Sequence, residues 1–185
     1  MPIQSGTTNL KQIPPAVLPD CNGIEQSLVQ LCSDRVSVIF FSCNHCPYVQ
    51  WVEQAVGQLS HKFSHITWLA ICSNDVESYP ADDIPGLLAQ SQRAGWEFPY
   101  LIDSDQRVAH AFGAVCTPDF YVFDAQSQLV YRGAFDSSRP KSDTPVSGEF
   151  LEAAIESALA GNVFIQGSPA LGCGIKWLNA QTNSD

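Results

Sequence analysis

The sequence predicts a single α/β domain with a central mixed β-sheet, flanking helices and an N-terminal β-hairpin. Three observations carry that expectation. Two β-branched and aromatic runs bracket an amphipathic helix, a later strand pair is joined by a polar turn, and a last amphipathic helix stops at a glycine. Strand, helix, strand at this spacing reads as a parallel βαβ unit. The later pair reads as an antiparallel hairpin.

The elements follow in order. Residues 1–15 read as irregular, closed by Pro14-Pro15. Val17-Leu18 and Gln26-Ser27-Leu28 flank the turn-prone Asp20-Cys21-Asn22-Gly23, which predicts a short hairpin. Val36 to Phe41 is a β-branched and aromatic run, the pattern of a buried central strand. Val49, Val52, Val56, Leu59 and Phe63 recur at spacings of three and four, so a helix is expected over roughly 46–63. Ile66 to Cys72 is a second buried strand. Ile84, Leu87 and Leu88 mark a helix ended by Gly95, and Pro99 to Ile102 is a short extended piece. Asp105 to Phe112 reads as a helical turn or two closed by Gly113. Phe120 to Phe123 and Leu129 to Tyr131 form the second hairpin, followed by a Ser-, Asp- and Pro-rich loop over 133–147. Phe150 to Leu159 is the last helix, with Gly161 as its C′ residue. The domain core is thus expected over 16–161, with a tail over 162–185.

Composition removes several classes of function. With 9 Lys+Arg against 19 Asp+Glu, the net charge is −10. Nucleic-acid backbones and anionic membranes need clustered cations, so neither is an expected partner. No apolar run reaches the roughly 18 residues of a membrane span. The polar first 15 residues lack the apolar core of a secretory signal, which makes the cytoplasm the expected location. Seven cysteines at 21, 32, 43, 46, 72, 116 and 173 are odd in number and irregular in spacing, unlike a secreted disulfide scaffold. Cys72, inside an apolar run, reads as a packing residue.

One pair stands out. Cys43-Asn44-His45-Cys46 falls where the first central strand turns into the helix. A thiolate, not a thiol, is the working nucleophile, and a helix N-terminus stabilises anions. Cys43 is therefore expected to be the acidified nucleophile, and Cys46, one turn on, the resolving thiol. His45 can donate to a Cys43 thiolate or oppose it with positive charge. Pro47 suits the first helical turn, where its missing N–H is not needed. A zinc site could also use Cys43, His45 and Cys46. No second ligand pair lies nearby in sequence, so no metal and no cofactor are expected.

These residues carry a resemblance. Phe41-Ser42-Cys43-Asn44-His45-Cys46-Pro47-Tyr48-Val49 and Cys116-Thr117-Pro118-Asp119-Phe120 resemble the thioredoxin superfamily. More narrowly, they are similar to its redoxin branch, the alkyl hydroperoxide reductase/thiol-specific antioxidant group. Arg132 to Pro140 and Gly172-Cys173-Gly174-Ile175-Lys176-Trp177 also resemble stretches of that group, so that the likeness covers roughly 16–178. It implies a thioredoxin-like fold, Cys43 as nucleophile and Cys46 as resolving cysteine. It also implies Thr117-Pro118 on the substrate side, with Pro118 cis. Two positions depart from the pattern. Ser42 stands where a Trp is usual, and Phe40 stands where a peroxiredoxin would carry Thr three residues before its reactive cysteine.

The expected activity is thiol–disulfide exchange through the Cys43/Cys46 dithiol, in redox homeostasis or antioxidant defence. Its partners would be protein or small-molecule thiols and disulfides, with a thioredoxin- or glutathione-type electron donor. A thiol peroxidase and a metal-binding or interaction module on the same fold are the alternatives. Cys116 and Cys173 are candidates for additional redox roles. The plain alternative is that both are unpaired thiols.

Overall fold

The computed structural model describes residues 2–162 and 168–178. In chain order its elements are Ile3–Gln4 (β1), Val17–Pro19 (β2), Glu25–Ser27 (β3), Leu28–Leu31 (α1) and Ser37–Phe41 (β4). Next come Pro47–Lys62 (α2), Thr67–Cys72 (β5), a 3-10 turn at Pro80–Asp82, Ile84–Ala94 (α3) and Tyr100–Ile102 (β6). Arg107–Phe112 (α4), Cys116–Thr117 (β7), Asp119–Phe123 (β8), Leu129–Gly133 (β9), Glu149–Leu159 (α5) and Leu171–Gly174 (β10) complete them. No described helix is long and apolar enough to cross a membrane.

Five strands form the central sheet in the order β6-β5-β4-β8-β9. β4, β5 and β6 run parallel, whereas β8 is antiparallel to β4 and β9 antiparallel to β8. The sheet is mixed, as expected. All five residues of β4 are buried, because helices cover both of its faces. Val38 and Phe40 point into a core shared with α2, α3 and α5. Ile39 and Phe41 point the other way, into a second core with Leu28 of α1 and Val108, Ala109 and Phe112 of α4. Period-2 alternation of large apolar side chains therefore serves two interiors at once.

The N-terminal hairpin forms between β2 and β3, but Leu28 does not extend it. Ser27 caps α1 by accepting from the Gln30 N–H at 3.4 Å, and Leu28 is buried as the first residue of that helix. Nor is the stretch 1–15 wholly irregular. β1 pairs antiparallel with β10, which pairs in turn with β7, giving a second, three-stranded sheet. A two-residue strand has no periodicity to read, and its partner lies near the other end of the chain.

Candidate active site

β4 delivers the chain to the site. The Ser42 N–H donates to the Ile71 carbonyl at 2.9 Å, continuing the β4–β5 ladder to the residue before Cys43. The chain then leaves the sheet for one short loop. Cys46 is the N-cap of α2 and Pro47 its first residue, a position that needs no N–H. α2 thus begins within a residue of the expected 46, with Cys46 at the helix end and Cys43 in the loop before it.

Across from this loop lies Thr117-Pro118, whose peptide bond is cis. Both sulfurs meet Thr117. The Cys43 Sγ lies 3.5 Å from the Thr117 Oγ1, and the Cys46 Sγ donates to the Thr117 carbonyl at 3.2 Å. The sequence-predicted Cys43, Cys46, Thr117 and Pro118 therefore come together at one point. Both thiols are enclosed, with Cys43 1% and Cys46 0% exposed.

The two thiols shift in opposite directions. Cys46 is lowered to about 5, first by a hydrogen bond from Cys43. Thr117, Cys173 and the Val49 N–H also favour its anion, against the cost of burial. Cys43 is raised, first by that shared hydrogen bond, then by burial, then by the nearby Asp82 carboxylate. Two interacting thiols titrate as a pair. Within the pair the shared hydrogen bond acts first, and the Asp82 carboxylate adds to the rise at Cys43.

Asp82, at the end of the 3-10 turn, is fully buried and escaped the sequence reading. Its Oδ1 accepts from the Asn44 N–H at 2.9 Å and the His45 N–H at 3.1 Å. Its Oδ2 accepts from the His45 Nδ1 and the Asn74 Nδ2, each at 2.7 Å. The His45 ring stacks on Tyr79 with centroids 5.5 Å apart. So His45 is turned toward a carboxylate and an aromatic face, and Asp82 occupies the two loop N–H groups that could otherwise hold an anion. Arg93 steadies the rim, donating to the Asn44 Oδ1 at 2.7 Å while paired with Glu53. Two aspartates between two prolines carry no motif, and only a fold that returns Asp82 to the strand end reveals it.

Cys43, His45 and Asp82 bring ligand-type atoms within 4.8 Å of one another. The four hydrogen bonds to Asp82 already use both of its oxygens, so the trio functions here as a hydrogen-bonded network.

Cys116 is fully buried and its thiol is pushed up, chiefly by burial. Cys173 lies differently. It is the register partner of Thr117 in the β10–β7 pair, is only half-buried, and packs against the apolar cluster that holds Cys46. A Cβ at Gly172 would collide with the Thr117 carbonyl, so glycine lets β10 approach the Thr117-Pro118 peptide. The residues beyond β10 are moored to the same region. The Lys176 N–H donates to the Asn74 Oδ1 at 2.8 Å, the Lys176 Nζ lies over the Tyr79 ring, and Trp177 stacks on His110.

A family model described as AhpC/TSA family matches residues 10–132, which include the Cys43–Cys46 loop and the Thr117-Pro118 turn. The chain belongs to the AhpC/TSA family. Membership places it among thiol-dependent oxidoreductases and peroxidases. An uncharacterized conserved protein from Geobacillus kaustophilus is 39% identical, with a TM-score of 0.92 over 97% of this chain and 98% of that one. A hypothetical protein from Sinorhizobium meliloti is 34% identical, with a TM-score of 0.90 over 95% and 98%. A more distant likeness is Peroxidoxin BcpB from Mycobacterium tuberculosis, 17% identical with a TM-score of 0.59 over 85% and 97%, which speaks for the fold alone. A search of curated proteins finds no match for the chain.

Proposed function

We propose that this AhpC/TSA-family chain is a thiol–disulfide oxidoreductase whose Cys43–Cys46 couple passes an electron pair to and from thiol and disulfide partners. One observation carries the reading. Two sulfurs, spaced one turn apart at the head of a helix, both touch Thr117 beside a cis-proline. A stable thiolate in such a pair needs an anion-friendly helix end, and Cys46 has it. The enclosure of both sulfurs keeps water from the exchanging bond.

The carboxylate of Asp82 works against a thiolate on Cys43. Here a negative group faces Cys43, and His45 is already engaged by it. The test is reduction of insulin disulfides with a thioredoxin-type donor. Wild-type protein turns over, whereas Cys43→Ser and Cys46→Ser lose at least a hundredfold. Equal activity in either variant overturns the reading.

A peroxidase reading has one observation in its favour, the acidified Cys46 at a helix N-cap. Fast peroxide consumption that survives Cys43→Ser and is lost in Cys46→Ser would establish it over disulfide exchange.

A further inference from the structure

The paired sulfurs of this site are walled in, yet exchange chemistry requires a partner sulfur to approach in line with the bond that breaks. Neither Cys43 nor Cys46 offers such an approach, being 1% and 0% exposed. A third sulfur does. Cys173 packs against the apolar cluster that contains both of them and remains half-open to solvent. Its place is fixed from several sides. β10 holds it opposite Thr117, whose carbonyl accepts from Cys46. On the far edge of β10, β1 pairs through Gly172 and Leu171. Downstream, Lys176 is tied to Asn74 and Asp75, next to the Asp82 network.

We propose that Cys173 is the outward sulfur of a three-cysteine relay, the point at which a dithiol donor exchanges with the enclosed Cys43–Cys46 pair. The proposal rests on that pair being redox active. It adds a third sulfur and names the class of donor.

The steps balance. In the oxidised protein, the Cys173 thiolate attacks the Cys46 sulfur. The Cys43–Cys46 bond breaks, the Cys46–Cys173 bond forms, and Cys43 takes up the proton that Cys173 gave up. No electrons enter or leave in this exchange. One sulfur of the donor dithiol then attacks Cys173, and Cys46 departs as thiolate, leaving the donor joined to Cys173. The donor's second sulfur closes the donor's own disulfide and releases Cys173. Two electrons have passed from donor to protein, and the donor's two protons finish on protein thiols. The same path run backwards reduces a substrate disulfide.

Exposure directs the donor to Cys173 and away from Cys46, because Cys173 is the sulfur that solvent reaches. Cys116 does not join the relay, since it is fully buried behind the same ladder.

The test uses the full chain. Cys43→Ser protein is treated with diamide, its free thiols are blocked, and its disulfides are mapped by peptide mass. A Cys46–Cys173 disulfide is the expected product. Free Cys173 beside an oxidised or blocked Cys46 overturns the relay. In the second arm, the oxidised wild-type protein and its Cys173→Ser and Cys173→Ala variants are reduced with dithiothreitol. Rates at least tenfold slower in both variants are the expected result. Wild-type rates in either variant overturn the proposal. Failure of the parent reading looks different: wild-type protein would then form no Cys43–Cys46 disulfide at all.

Discussion

The carboxylate of Asp82 accepts four hydrogen bonds, three of them from Asn44 and His45. Replacing Asp82 by Asn keeps the shape but removes the charge and turns one acceptor into a donor. A buried group left without its partners costs about 1–3 kcal/mol, so Asp82→Asn should lose that much in urea denaturation. The Cys43 thiol should also fall, because the carboxylate is one of the groups holding it up. Thiolate absorbance titrated in both proteins checks the second effect, and an unmoved Cys43 would refute it. Cys46 gives a pH prediction of defined sign. Its folded thiol lies near 5, below the roughly 8.5 of a free cysteine. The unfolded chain therefore binds more protons between those values, and stability rises with pH there. The reduced protein should gain stability from Cys46 as pH climbs from 5 to 8.5 and lose it on acidification. Cys46→Ser should lack that component when the two are compared pH by pH. Neither effect was legible in sequence. The motif located Cys43, His45 and Cys46, but Asp82 meets His45 only through the fold.

Helices α2 and α3 approach closely enough that Gly57 has no room for a side chain. A Cβ there would collide with the Ala94 carbonyl. Since α3 also carries Gln90, whose side chain donates to the Cys43 carbonyl at 3.3 Å, this contact sets the site's back wall. Gly57→Ala should destabilise by about 1–3 kcal/mol through overpacking, outweighing the better helix propensity of alanine. A denaturant midpoint at or above wild type would show that α3 simply moves aside. Regular elements were the most readable part of this chain. α2, β4, β5 and the β8–β9 hairpin announce themselves by long periodic runs and by turn residues between them. α1 and β10 do not. Four residues hold about one helical turn, and β10 is rich in glycine, so local pattern is silent on both, and only pairing with distant chain defines them. The cysteines of the site divide in the same way: Cys43 and Cys46 were found by spacing, and Cys173 gains its place from a ladder that spacing cannot show.

At the scale of the molecule, both described ends of the chain converge beside the Thr117-Pro118 turn through the β1-β10-β7 sheet. The Ser5 N–H donates to the Ala170 carbonyl at 2.8 Å, and the Ala170 N–H returns a bond to the Ser5 Oγ at 2.9 Å. Each such bond contributes about 1 kcal/mol net. Deleting residues 2–6 should therefore lower the melting temperature by several degrees, at roughly 2–4 °C per kcal/mol for a chain of this size. A calorimetric scan that shows no shift would mean that β1 is idle. The position of Cys173 opposite Thr117 has a further consequence, in polymer terms. A bond between Cys43 and Cys46 closes a ring of only about four residues and removes little freedom from the denatured chain. A bond from Cys46 to Cys173 would lasso about 130 residues, worth about 3 kcal/mol more in the loop-closure model. Two proteins of identical composition and identical oxidation level would then melt many degrees apart, and the calorimeter could tell which sulfur holds the bond.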